Sequence, residues 1–514
     1  MAIGQFSRIG IVGAGNMGAM MSLGFAEQGL NVSLWDIKSQ NVDEALELAK
    51  QTKGLKGTVD GFHDIKDFMQ SLAGEKTKLF VFSITHGSAA DSVLEKIWDE
   101  LREGDIVLDG GNEHYRTTER RQRHCAEKGV RWVGMGVSGG YQSARHGPSM
   151  SPGGEKEAVE AALPVLEAFA AKDSKSGEPC VTYIGPGGSG HYVKMVHNGI
   201  EHGMLSIVCE AWGLLHKCLG LSNDEIGTIF AIWNASGELR DCYLLEIGAK
   251  ICQRKKTPEG DQNGEGKGDS GYVLDDVLDK VVQDDDGTEG TGYWTVAESA
   301  LRHVAAPTIA AGHALRIASG NRAQRLKVAD KLQLLGVQGA DAETMKDKHA
   351  FVEALRCAVY AGFLASFAQG LELIARASKD ERWGVHIADC LQIWRAGCII
   401  RAGHIADLLQ PAFASAAQDI FNIKLIDEVA RDVRAAYPHL KNVVAKGVEW
   451  DAVVPALSAS LEYVKYVGDG MLPTQFQEAQ MDFFGAHAYD RVGVEGEDPG
   501  KPTKGAHHYE WRPA

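Results

Sequence analysis

The stretch KMVHNGIEH, residues 194 to 202, places Lys194, His197, Asn198, Glu201 and His202 at offsets of 0, +3, +4, +7 and +8. That spacing gathers side chains on one helical face. An amine, an amide, two imidazoles and a carboxyl so placed can move protons and hold oxygens. A solvated helix surface would produce the same pattern, but two features favour a buried site. Gly199 inside the helix costs about 1 kcal/mol against Ala. The flanks, GPGGSGHYV before and Ile207, Val208, Trp212, Leu214 and Leu215 after, suit a buried element.

Such a helix needs a scaffold, and residues 8 to 36 read RIGIVGAGNMGAMMSLGFAEQGLNVSLWD. An apolar strand meets Gly13, Gly15 and Gly18 in G-x-G-x-x-G spacing, a small-residue helix follows, and a second strand ends at Asp36. The first glycine permits the turn, the second lets backbone approach a pyrophosphate, and the third lets helix and strand pack closely. The helix start then turns its N–H groups toward the phosphates. Strand, glycines, helix, strand and terminal acid together predict a dinucleotide site built on Gly13, Ala14, Gly15, Asn16, Met17 and Gly18. KLFVFSIT (78–85), DIVLDGGN (105–112) and VRWVGMGVSGG (130–140) continue the βα punctuation and extend a parallel sheet to about residue 186. Asp36 can accept hydrogen bonds from both adenosine ribose hydroxyls and would face a 2′-phosphate, which favours NAD over NADP; Lys38 softens that preference.

At 514 residues, with 44% apolar residues, the chain can build two or three domains. Acidic residues outnumber basic ones 69 to 53, for a formal charge of −16. That balance argues against a nucleic-acid or anionic-membrane surface. Nine scattered cysteines without a CxxC pair predict neither a disulfide framework nor a structural metal. The start, MAIGQFSRIG, lacks the charged and then apolar regions of a signal peptide, and a cytoplasmic protein is expected. The most apolar helical stretch, 354–375, carries Arg356, Gln369 and Glu372 and reads as a helix buried in protein. From about 187 onward apolar spacing is helical over 205–219, 296–320, 343–377, 404–418 and 425–437.

Seven ordered motifs span nearly the whole chain: DGGNEHY (109–115), GVSGGYQSARHGPSMSPGG (136–154), GSGHYVKMVHNGIEHG (188–203), GTGYWT (290–295), WRAGCIIRAGHI (394–405), FFGAHAYDR (483–491) and KGAHHYEW (504–511). The set resembles the decarboxylating 6-phosphogluconate dehydrogenases. The resemblance implies an α/β N-terminal Rossmann-type domain (1–186), a large all-α substrate and dimerisation domain (187–480), and an extended C-terminal tail (481–514). That tail would reach into the partner subunit of a homodimer. It further implies oxidation of a 3-hydroxy sugar acid by hydride transfer to NAD or NADP, followed by loss of CO2 to give a ketose. Lys194 would be the base and later the cation that stabilises the enediolate, Glu201 the general acid, and Asn198 and His197 the groups holding the 3-hydroxyl and neighbouring oxygens. Asn112 would lie near nicotinamide and substrate, and Ser138, Gly139 and Gly140 would form the carboxylate loop. No metal is expected, since the protonated lysine serves as electron sink.

Other positions depart from the pattern that the resemblance implies. The family's phosphate tyrosine is His202 here, a lysine before the GTG turn is Glu289, and a cross-subunit arginine is Met481; Thr291 of GTG, Arg316 and His487 are kept. Two cations lost and one anion gained would weaken 6-phosphogluconate binding by roughly several hundredfold, at about 2–5 kcal/mol per lost charge partner. A lysine-rich stretch, 254–271, could restore cations or be a surface insertion. The cofactor side departs as well, with Asp36, Ile37 and Lys38 after the second strand, and Thr85, His86 and Gly87 following Ser83 and Ile84. QDDD (283–286) reads as a solvated turn, and WRAGCIIRAG (394–403) as helix packing, with Arg401 able to reach cofactor or substrate. Three functions stay open: a decarboxylating dehydrogenase with a remodelled distal pocket for an unphosphorylated sugar acid, an ordinary 6-phosphogluconate dehydrogenase, and a catalytically silent dinucleotide-binding regulator.

Overall fold

The computed structural model describes residues 2–256, 271–281, 290–415 and 422–512. Val, Ile and Phe runs near the N-terminus form β1 (Arg8–Val12), β2 (Asn31–Trp35), β3 (Val59–Phe62), β4 (Leu79–Phe82), β5 (Ile106–Asp109), β6 (Arg131–Ser138) and β7 (Ser149–Gly153). They make one sheet in the order β3-β2-β1-β4-β5-β6-β7. Pairing is parallel from β3 through β6. β7, however, runs antiparallel to β6, so the expectation of a wholly parallel sheet is corrected. Only residues 139–148 link those two strands, too short a connection for a parallel crossover.

Helices α1 (Asn16–Gln28), α2 (Ser39–Gln51), α3 (Ile65–Ser71), α4 (Ser88–Ile97), α5 (Tyr115–Ala126), α6 (Gly140–His146) and α7 (Lys156–Phe169) accompany the sheet. Strand side chains alternate between its two faces. Ile9, Ile11, Leu79 and Val81 enter one buried cluster, whereas Val12, Phe80 and Phe82 enter the other.

The later helices are α8 (Ser189–Gly213), α9 (Asn223–Ala235), α10 (Tyr243–Gln253), α11 (Thr291–Leu301), α12 (Pro307–Gly320), α13 (Arg322–Leu332), α14 (Ala342–Lys346), α15 (Lys348–Glu381), α16 (Ile387–Ile393), α17 (Gly403–Ser415), α18 (Asp427–Glu449) and α19 (Pro455–Gly468). The central one is α8, which packs against β6 and β7 and against α11, α12 and α15. Missing side chains allow this: a Cβ on Gly190 would lie 2.2 Å from the Gly134 carbonyl, and one on Gly136 2.2 Å from Lys194 Cβ. Gly199 has the same explanation, since a Cβ there would come within 2.3 Å of Thr295 Cγ2 on α11. Its cost to the helix is offset by close packing.

Several helix spans differ from the periodic reading. The 296–320 stretch is two helices, broken where His303 takes φ 54° and Pro307 restarts the chain as α12. At 343–377 Asp347 interrupts, and its carboxylate caps α15 through the Ala350 N–H. In α18 the helix passes through Pro438 and runs on to Glu449. The periodic stretch 404–418 runs beyond the described part of α17. The 34-residue α15 is apolar enough to cross a membrane by composition, but 89% of its most apolar window is buried within the protein.

Glu462–Ala514 form a separate compact unit. Within it α20 (Thr474–Gly485) ends at Ala486, which adopts φ 47°. The chain that follows is organised around buried Asp482, whose carboxylate accepts from the N–H groups of Ala488 and Tyr509 and from His508 and Trp511. A bridge pairs Tyr489 with His507.

Candidate active site

A cleft of about 910 Å³ lies at the carboxyl ends of β1 and β4, beside α8. This is where the strand order reverses, the usual ligand position in such sheets. Its nucleotide end is the turn between β1 and α1. Gly13 takes φ +100°, and a Cβ on it would lie 2.3 Å from the Ser83 carbonyl; one on Gly18 would lie 1.8 Å from the Gly13 carbonyl. A Cβ on Gly15, by contrast, would meet nothing within 4 Å, and Gly15 lines the cleft with Asn16 and Met17. No carboxylate occupies the first turn of α1. This open, N–H-rich cradle fits a pyrophosphate.

Asp36 closes the turn. One carboxylate oxygen accepts from the Ala14 N–H at 2.7 Å and the other from the Lys38 N–H at 2.8 Å. Asp36 and Ile37 line the cleft, as do Ser83, Ile84, Thr85 and Asn112; Ala14, Gly18 and the Lys38 side chain do not.

The other end of the cleft is made by α8. Lys194, 7% exposed, donates from Nζ to Ser138 Oγ at 3.0 Å and to Asn198 Oδ1 at 2.8 Å. Asn198 Nδ2 donates to Thr291 Oγ1 at 2.9 Å. In its ammonium form the lysine only donates, and the amide turns its oxygen toward it. One polar chain thus ties the end of β6, α8 and the start of α11 together. Lys194, Asn198, Glu201, His202, Thr291, Arg316, Gly139 and Gly140 all line the cleft that holds the glycine turn.

His197 sits behind this wall. It is completely buried, and its Nδ1 is 3.0 Å from Asn198 Oδ1. Burial, followed by the charge of Lys194, holds its pKa well below the ordinary imidazole value. A neutral ring therefore donates from Nδ1 to the amide oxygen, and the 3.8 Å approach of Nδ1 to Glu201 is not an ion pair. Nε2 is buried and meets no hydrogen-bond partner among the described residues. His202 stacks on His313 with ring centroids 5.5 Å apart. A Cβ on Gly292 would lie 2.3 Å from His202 Cε1 and 2.9 Å from His313 Nδ1, so the glycine of GTG makes room for both rings.

Glu289, QDDD (283–286) and most of 254–271 lie outside the described residues. His487 and Met481 belong to the separate C-terminal unit.

Two family models match the chain. The model of the NAD binding domain of 6-phosphogluconate dehydrogenase matches residues 8–185, and that of the 6-phosphogluconate dehydrogenase C-terminal domain matches 190–511. The chain belongs to the 6-phosphogluconate dehydrogenase family. An Emericella nidulans relative, 6-phosphogluconate dehydrogenase, decarboxylating, is 60% identical over 97% of this chain and 100% of its own. The NADP(+)-dependent, decarboxylating enzyme of Bacillus subtilis is 35% identical over 95% of this chain and 97% of its own. Among solved structures, Plasmodium falciparum 6-phosphogluconate dehydrogenase matches with a TM-score of 0.84 at 32% identity, covering 98% of this chain and 100% of that one.

Several lining residues of this family member escaped sequence reasoning. Trp35, Ala89, Ser92, Val93 and Lys96 border the glycine-turn end, while Val137 and Ile399 border the end that holds Lys194. Ala89 to Lys96 follow a helical period indistinguishable from ordinary core packing. Ile399 lies within WRAGCIIRAG, which is an irregular segment after α16 and not the helix packing expected. Gly397 there has φ +67°, and its carbonyl lies so close to the loop after β6 that a Cβ on Gly139 would approach it to 2.3 Å. Arg401 pairs with Asp241 and Glu246 and does not line the cleft.

Proposed function

We propose that the chain oxidises and decarboxylates 6-phosphogluconate, or a 3-hydroxy sugar acid of that class, with a nicotinamide dinucleotide as acceptor. The supporting observation is that Lys194 and Glu201 line the same cleft as the glycine turn and Asn112. The glycine turn, Asp36 and Asn112 would hold a dinucleotide whose nicotinamide would supply the acceptor for the hydride of the substrate's third carbon.

Lys194 takes the proton of the 3-hydroxyl as that hydride leaves. Its ammonium then polarises the new carbonyl, so that the carbon–carbon bond to the carboxylate breaks and its electrons flow toward the carbonyl oxygen. CO2 departs, and Lys194 protonates the enediolate oxygen. Glu201, on the same face and about 10 Å along the helix axis, next protonates the carbon that lost the carboxylate. Lys194 recovers the enediol proton, giving the ketose. General acid–base groups of this kind contribute about 10²–10⁴-fold each. Asn198, oriented by Thr291 and His197, holds the lysine and offers its amide to the reacting oxygens. Ser138, Gly139 and Gly140 hold the substrate carboxylate before it is lost as CO2.

His202 in the cleft wall favours a second reading, a sugar acid without the phosphate. Steady-state assays decide: nicotinamide reduction with CO2 release is expected from a sugar-acid panel. A micromolar KM for 6-phosphogluconate with ordinary turnover refutes the unphosphorylated reading, and no reduction with any member refutes the dehydrogenase. Asp36 supports NAD as acceptor, whereas the names of the Bacillus and Plasmodium relatives carry NADP. Family membership also supports a homodimer in which the C-terminal unit with His487 completes the partner's site; a monomer in analytical ultracentrifugation overturns this part.

A further inference from the structure

The adenosine end of the cleft is walled by Trp35, Asp36 and Ile37 on one side and by Val93 and Lys96 of α4 on the other. Its charge is unbalanced in a specific way. Asp36 is 9% exposed and locked by two backbone N–H groups, so its carboxylate is a permanent part of the floor. Ile37, 75% exposed, presents no charge. Lys38 gives its backbone N–H to Asp36, but its side chain is not part of the wall. Among the described residues of this end, Lys96 is the one lining cation, its ammonium 5.9 Å from the centre of the Trp35 ring.

A 2′-phosphate carries about −1.5 to −2 charges at neutral pH. Beside Asp36 it would be repelled unless a cation offset the carboxylate. Lysine suits this task as a point charge on a flexible stem, able to swing from an aromatic face to a phosphate oxygen. We propose that Lys96 is the 2′-phosphate contact of this chain and that the cleft admits NADP as well as NAD through it. The competing role for Lys96 is purely structural: it stands in the last turn of α4, where a cation complements the helix C-terminus. The assignment rests on the dinucleotide reading above.

Calorimetric titration of the full chain with oxidised NADP and, separately, oxidised NAD separates these roles without turnover. Lys96→Gln is expected to weaken NADP binding about tenfold, as for a partly exposed charge pair. NAD binding should stay within about twofold, because no 2′-phosphate is lost. Raising salt should weaken NADP binding to the unaltered protein and leave NADP binding to Lys96→Gln nearly flat. Equal losses for both nucleotides, no loss for either, or a loss confined to a Lys38→Gln comparison overturns the assignment. Failure of the unaltered protein to bind either nucleotide overturns the dinucleotide reading as well.

Discussion

The two ends of the cleft are built differently. At the nucleotide end the glycine turn is closed locally, Asp36 accepting from the Ala14 N–H across 22 positions. At the acid–base end the ties run from Lys194 to Ser138 across 56 positions and from Asn198 to Thr291 across 93. Space differs too: Gly15 opens onto empty cleft, whereas Gly136 and Gly199 are crowded by side chains. The nucleotide end is a backbone mould, while the acid–base end is held by the packing of one long helix between a sheet and other helices. Damage at the first should therefore appear as lost affinity, and damage at the second as lost turnover or stability.

The sharpest test of that division is Lys194→Met. Turnover should fall by about 10³-fold or more, with dinucleotide affinity by calorimetry within about twofold of the unaltered protein. Loss of nucleotide binding as well would show that the ends are not separable. Glu201→Gln should cost about 10²-fold in ketose release; rapid-quench detection of product distinguishes this from lost oxidation.

Next in size is a pair of glycine changes. Gly136→Val places a Cβ 2.2 Å from Lys194 Cβ and should destabilise by about 1–3 kcal/mol, as overpacking does; thermal unfolding reads this. Gly15→Ala adds its Cβ to open space at an extended φ of −67°, so the Tm should hold while dinucleotide affinity drops about tenfold, as expected where backbone must approach a pyrophosphate. A fall in Tm for Gly15→Ala, or none for Gly136→Val, would break the contrast.

The smallest effect at neutral pH concerns the far end of α8. Glu210, 3% exposed, accepts from the N–H groups of Ala456 and Leu457 at the start of α19 and from the Ser206 hydroxyl. Burial pushes its carboxyl from an ordinary 4.5 up to about 7. Between those values the folded chain binds more protons than the unfolded one, so stability declines as pH rises through that window. Glu210→Gln should flatten this slope between about pH 5 and 7, measured as Tm against pH; an unchanged slope removes Glu210 from the account.

Residue order carried much of the fold. The strand–glycine–helix–strand–acid series at 8–36 is legible because each part has a local physical requirement, and β4, β5 and β6 were visible as apolar runs. β3 and β7 were not. Val59–Phe62 is a half-polar VDGF, and Ser149–Gly153 reads SMSPG, whose burial comes from neighbours and not from apolar composition. The helix breaks at His303 and Asp347 were hidden because apolar spacing continues across them. His313 gave no local sign of meeting His202, and Ile399 none of reaching the cleft.

The spacing of Lys194, Asn198 and Glu201 along one helix follows from order alone, because 3.6 residues per turn is a property of the backbone. So does the room at Gly13, Gly15 and Gly18, since a missing Cβ is a covalent fact. Which way the Asn198 amide points, that His197 stands behind the cleft wall, and that Lys96 shares a chamber with Asp36 were decided only by tertiary packing. These depend on contacts between segments far apart in sequence, where close packing selects one arrangement and no local periodicity records it.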